Sequence, residues 1–145
     1  MQAIAGTYIL VLKSDRERTI TIGKLGKYLF PPGFYAYAGS AFGPGGLKSR
    51  IGRHMKKTKK CRWHIDYLRA CIDPYEVWFD HHQEKQECVW LRLLCSLEGA
   101  RVPCEGFGSS DCSCPSHLVY FKNKPSFPRF RKYTGSHCQR RYLIT

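Results

Sequence analysis

Residues 35–54, YAYAGSAFGPGGLKSRIGRH, constrain the fold more than any other stretch of the chain. Tyr35 to Ala38 read as an aromatic strand, and the glycine-rich GPGG run reads as a turn. Leu47, Ile51 and Met55 then recur at helical spacing, which predicts a helix from Leu47 to about Lys57 with that stripe facing the core. Arg50, Arg53, His54 and Lys57 fall on the adjoining flank. A strand that turns directly into an amphipathic helix lays that helix back on its own sheet, so the class is α/β.

The remaining elements follow from periodicity. GTYILVLK (6–13) is β-branched and aromatic, and RTITIGKL (18–25) alternates Ile20 and Ile22 with polar neighbours. The turn-like SDRE between them predicts a hairpin. PPG (31–33) then leads into FYAYAGS, completing a three-stranded antiparallel meander. WHIDYLRAC (63–71) reads as a short helix and YEVWFDHH (75–82) as a strand. EKQECVWLRLLCSLEG (84–99) reads as a helix with Gly99 as its C-cap, and HLVYF as a last short strand. The expected fold is a small α/β sandwich: a central three-stranded antiparallel sheet, flanking helices, and one or two extra short strands. Residues 1–121 form the domain. Residues 122–145 form a basic tail, read either as a docked arm or as a partly disordered segment.

Charge is unevenly distributed. The chain of 145 residues carries a net +13. Residues 1–62 hold thirteen Lys/Arg against Asp15 and Glu17, residues 63–121 have a balance of −5, and the tail has seven basic residues and no acidic one. Two basic segments around an acidic middle point to a polyanion-binding face beside a carboxylate-bearing centre, with nucleic acid as the partner. No long basic amphipathic helix speaks for a membrane. The opening residues show no secretory leader, and the chain reads as cytoplasmic.

Eight cysteines without a leader read as reduced thiols. Cys71, Cys88 and Cys95 sit in apolar patterns and are expected to pack as small core residues. Zinc held by Cys104, Cys112, Cys114 and His117 is chemically possible, although Cys-x-Cys is a poor chelating step. The other reading places His64, Asp66, Asp111 and His117 in one polar network.

The glycine loop matches neither a Walker P-loop, which requires Gly-Lys-Ser/Thr, nor a dinucleotide fingerprint, which requires a βαβ unit. Taken singly, Tyr8 and Tyr37 read as packed strand aromatics and His54 as a core-edge histidine. Glu84 and Glu87 suit the start of any helix. Together, however, Gly6-Thr7-Tyr8, Tyr37-Ala38-Gly39 and the LKSR helix start resemble the GIY-YIG nuclease superfamily. YAYAGSAFGPGGL…RIGRH, WHIDYL and GFGSSDCSCPSHL resemble a branch of small stand-alone members, whose domain also occurs fused to endonuclease-III-type repair enzymes. The resemblance implies metal-dependent cleavage of DNA phosphodiesters, with DNA preferred to RNA and a place in repair. A non-catalytic nucleic-acid-binding module on the same scaffold is the alternative.

The implied roles have a physical logic. Arg50 presents a planar fork that fits phosphate oxygens. Glu87 supplies the single carboxylate that, with waters, suits Mg²⁺ or Mn²⁺. Tyr8 or Tyr37 takes a proton from water, assisted by His54. A free phenol titrates near ~10, so this role requires Arg50, His54 and nearby lysines to favour the phenolate. Gly39, Ser40, Arg53, Lys57 and His64 are the expected substrate-binding positions.

Overall fold

The run GTYILVLKS is apolar on both of its faces, which suits only a strand covered from both sides. In the computed structural model, which describes residues 1–109 and 112–143, this run is β1 (Gly6–Ser14), buried along its length except at Lys13. It lies at the centre of a five-stranded antiparallel sheet. On one side it pairs with β4 (Gly33–Ala41) and beyond that β6 (Leu118–Phe121). On the other it pairs with β5 (Asp73–His81) and beyond that β7 (Gln139–Tyr142).

Side chains alternate across the sheet and build two cores. Tyr8, Leu10 and Leu12 face α1 (Gly46–Met55) and α2 (His64–Arg69), packing with Leu47, Ile51, Ile65 and Leu68. Ile9 and Val11 face α3 (Glu87–Cys95) and α4 (Phe127–Thr134), packing with Trp78, Trp90, Leu94 and Phe130. The α/β class and the antiparallel sheet are as expected, and the sheet is larger than three strands.

The predicted hairpin between the first two strands does not form. β2 (Arg18–Ile22) pairs instead with β3 (Gly26–Phe30), as a separate two-stranded ribbon. Both edges of β1 are occupied by β4 and β5, so β2 has no edge to join. Its alternation serves a one-sided role, in which Ile20 and Ile22 with Phe30 cover the first core. β3 was hidden in the sequence because Gly23 and Gly26 look like the end of a strand. Both take positive φ in a tight turn that lets the chain double back. The helix expected over 84–99 is shorter, ending at Cys95, and Gly99 takes positive φ in the turn beyond it.

The basic tail is a docked arm. Ser126 caps α4 by accepting a hydrogen bond from Arg129 N–H, with a proline in the first turn. Phe130 then packs on Trp78 and Trp90, with ring centroids 5.0 and 5.3 Å away. The buried Glu76 carboxylate binds Lys124 Nζ at 3.0 Å and accepts from Trp78 Nε1 at 2.7 Å. Beyond α4, β7 pairs with β5 from Phe79↔Gln139 to Glu76↔Tyr142.

One interruption in the sheet matters for the site. The β4–β6 ladder stops at Tyr37↔Leu118, and beyond it Ala38 N–H donates to His117 O at 2.9 Å. From Gly39 to Ala41, β4 has a strand neighbour only on its β1 side among the described residues.

Candidate active site

The register of β1 on β4 brings the two tyrosines together. Tyr8 lies opposite Gly39, and Tyr37 opposite Leu10, so both phenols stand on one face as diagonal neighbours. Their ring centroids are 6.4 Å apart. A Cβ at residue 39 would collide with the Tyr8 hydroxyl, so glycine there lets the phenol pass beneath the strand.

The helix that follows completes the group. At the start of α1, Leu47 N–H and Lys48 N–H donate to the carbonyls of Ile4 and Gln2 at 3.0 and 3.2 Å. These helix-start donors are committed within the chain, so they are not arranged as a phosphate cradle. One turn on, Arg50 Nη1 donates to Ser40 O at 2.9 Å, which draws the guanidinium back across the glycine loop to the edge of β4. Its plane rests on the Trp63 indole, 4.6 Å from the ring centroid.

His54, a further turn along α1, is fully buried, and its Nε2 lies 2.7 Å from the Tyr8 hydroxyl. Burial holds this imidazole neutral, pushing its pKa down to about 3. The cations of Lys59, Arg50 and Arg53 act in the same direction and Asp66 opposes them. A neutral ring can accept the Tyr8 proton at Nε2 with Nδ1 protonated, and Nδ1 has no partner among the described residues.

A cleft of about 520 Å³ opens over this arrangement, lined by Tyr37, Gly39, Ser40, Arg50, His64 and Glu87 among others. Glu87, at the first position of α3, is part of that lining. Its Oε2 is buried and has no hydrogen-bond partner among the described residues. An unsatisfied buried carboxylate oxygen is costly unless a cation or donor arrives. A carboxylate oxygen is the donor type that the hard cation implied by the resemblance would take.

The electrostatics reverse one expectation. Burial raises the pKa of both phenols, well above the usual range for Tyr8 and to about 12 for Tyr37, and the opposing charge of Arg50 does not offset it. For Tyr8 the neighbouring Tyr37 adds to the rise, and for Tyr37 the charges of Asp66 and Glu87 do so. The basic neighbours therefore do not by themselves create a phenolate.

Other expected positions have different employment. Arg53 lies beneath Trp63, on which it also stacks at 4.2 Å, and donates both Nη atoms to Asp66 at 2.6 and 2.8 Å. Asp66 further accepts the backbone N–H groups of Arg62 and Trp63 at 2.8 and 2.9 Å, so it welds α1 to the start of α2. Its side chain is wholly buried while that of Arg53 is a quarter exposed. Asp66→Ala is accordingly expected to cost about 3 kcal/mol, the low end for breaking a buried pair because the stranded arginine still reaches water. Urea unfolding of the variant beside the parent measures this.

Lys57 lies exposed beyond the end of α1 and outside the cleft lining. His64 lines the cleft but accepts Gly108 N–H on Nδ1 at 2.8 Å. His64, Asp66 and His117 go to three different partners and form no single network, and Asp111 lies outside the described residues. Trp63, Arg62 and Lys85 also line the cleft, and sequence reasoning did not select them. The aromatic Trp63 directly after a run of cations was the available signal.

Residues 7–139 match the family model described as domain of unknown function DUF123. The chain belongs to that family. No curated protein and no solved structure matches it. The DUF123 match runs from β1 to the first residue of β7, so it includes every element of the cleft and the docked arm as far as α4. Among the described residues, no helix of this DUF123 chain is long and apolar enough to cross a membrane.

Beside the cleft the DUF123 chain gathers four potential metal ligands. Cys88, Cys112, Cys114 and His117 each offer one atom, all within 4.8 Å of one another. The set differs from the expected one in its fourth member. Cys104 is buried in the first core, whereas Cys88 on α3 turns toward the loop rather than packing as a core residue. Cys95 is exposed, and all eight cysteines are free thiols.

Proposed function

We propose that this chain is a metal-dependent endonuclease of GIY-YIG type that cleaves DNA phosphodiester bonds, with DNA repair as its setting. The observation that carries the reading is the convergence of Arg50, Tyr37 and Glu87 on one cleft, above the Tyr8–His54 pair. Arg50 binds the scissile phosphate. One N–H is committed to Ser40 O, and the other donors remain free to contact two phosphate oxygens. Tyr37 reaches the cleft and orients the attacking water, while Tyr8 and His54 pack against its ring from below. Glu87 would hold Mg²⁺ or Mn²⁺, and the chemistry such an ion would supply there is positive charge for the leaving oxygen and for deprotonation of water. The flanking cations of residues 56–60 extend the phosphate-binding surface.

The raised phenols favour a second reading, a nucleic-acid-binding module that keeps the scaffold without turnover. One experiment separates the two. Purified full-length protein is incubated with single-stranded, duplex and branched DNA in Mg²⁺ or Mn²⁺, and in EDTA. The nuclease reading expects cleavage that EDTA stops and Glu87→Gln reduces at least a hundredfold. No cleavage of any substrate, with steeply salt-dependent binding that EDTA leaves unchanged, establishes the binding module instead.

A further inference from the structure

We infer that Cys88, Cys112, Cys114 and His117 form a structural zinc site that fixes two walls of the cleft. Zinc takes thiolate and imidazole ligands at about 2.3 and 2.0 Å in a tetrahedron, which separates neighbouring ligand atoms by roughly 3.5–3.8 Å. Here Cys88 Sγ lies 3.8 Å and Cys112 Sγ 3.1 Å from His117 Nε2, with all four atoms inside 4.8 Å. Small side-chain adjustments bring this set onto zinc. Three sulfurs and one imidazole exclude Mg²⁺ and Ca²⁺, which select oxygen. Four protein ligands also close the coordination sphere, leaving no open position for catalysis.

The backbone around the ligands is already set. His117 N–H donates to Phe107 O at 2.7 Å, and His117 O accepts Ala38 N–H at 2.9 Å, which ties the ligand to the sheet. The imidazole is largely buried, and its Nε2 faces the sulfurs. The irregular loop from Val102 to Ser116 has no helix or strand of its own among the described residues, so a cross-link from it to α3 is the kind of staple such a segment needs. The poor Cys-x-Cys step is relieved because the remaining two corners come from outside it, Cys88 from α3 and His117 from the residue just before β6.

The consequence for the cleft follows from neighbours. Cys88 directly follows Glu87, so zinc would anchor the helix end that carries the carboxylate. The loop side holds Gly108, at φ +68, where a Cβ would stand 3.1 Å from the Tyr37 ring and 3.3 Å from His117 Cβ. The same residue is clamped by His64. Zinc thereby positions Glu87 and Gly108, which line the cleft with Tyr37, without touching substrate. The site itself does not depend on the nuclease reading, and only its effect on the cleft does.

Elemental analysis of the full chain, purified without chelator, tests the assignment. The expected result is one zinc per chain, falling to background in Cys88→Ser and Cys114→Ser and unchanged in Cys95→Ser. Exchange of the parent protein into Co²⁺ needs no variant and is expected to give the thiolate charge-transfer and d–d bands of a tetrahedral site. A zinc content far below one with all eight thiols reactive, or with two lost to a disulfide, overturns the proposal. Zinc that survives Cys88→Ser overturns the ligand set. Stoichiometric zinc in a protein that cuts no DNA sustains the site and removes the nuclease, so the two readings fail separately.

Discussion

Arg50→Ala is expected to slow DNA cleavage by about 10²–10³-fold, the usual cost of removing one preorganised charge donor from a phosphoryl or acyl transition state. The fold should survive the change, because Arg50 is only partly buried and it touches one carbonyl, the Trp63 ring and the Tyr8 hydroxyl. Urea unfolding should therefore move little. DNA affinity should fall only modestly, with the salt slope reduced by about one phosphate contact, since many other cations remain. Arg50→Lys should recover little, because an ammonium cannot bond Ser40 O and grip two phosphate oxygens with a rigid fork. Single-turnover cleavage, salt-titrated binding and unfolding on the same samples check all three expectations. A variant that cuts like the parent would remove Arg50 from the chemistry.

The second large effect is an acid lability set by His54. Its ring is buried and held neutral, with a folded pKa of about 3 against an unfolded value near ~6.5. Between these values the unfolded chain takes up a proton that the folded chain refuses, so stability is full above the unfolded pKa and drains away as pH falls toward the folded one. At about 1.36 kcal/mol per unit, moving from pH 6.5 to 4.5 should remove roughly 2–3 kcal/mol. His54→Gln keeps a polar partner for the Tyr8 hydroxyl but cannot titrate, so its stability should change much less over that interval. Urea midpoints of parent and variant across the same pH series measure the difference. Parallel curves would show that another group governs acid unfolding.

Legibility in the sequence tracked locality. The β4–loop–α1 unit is a continuous run of about twenty residues whose aromatic, glycine and helical signals agree, and its elements formed as expected, although His54 rather than Met55 completes the buried stripe of the helix. Tyr8, Tyr37, Arg50, His54 and Glu87 were named from a resemblance to the GIY-YIG superfamily that attaches each to a strand or helix start legible in the sequence. Pairing was harder to read, since nothing local in RTITIGKL says that both edges of β1 are already occupied. Side-chain partners were harder again. Arg53 read as a substrate-binding cation, and only the fold shows its fork spent on Asp66 at the start of the next helix. Cys88 looked like core because its helix is apolar, and only the return of the loop after Cys104 reveals what its sulfur faces. The direction of the tyrosine shifts was also out of reach, because desolvation depends on what covers a ring and not on which charges are near it in sequence.

The early end of the β4–β6 ladder has a consequence for how the cleft tolerates change. Ala38 sends its N–H away from β1, and alternation along the strand points the Ser40 N–H the same way, onto the uncovered edge where Ser40 O already receives Arg50. The cleft thus owns an amide hydrogen that belongs to the main chain. Residue 40 can drift through most side chains without altering that group, and among ordinary replacements proline alone deletes it.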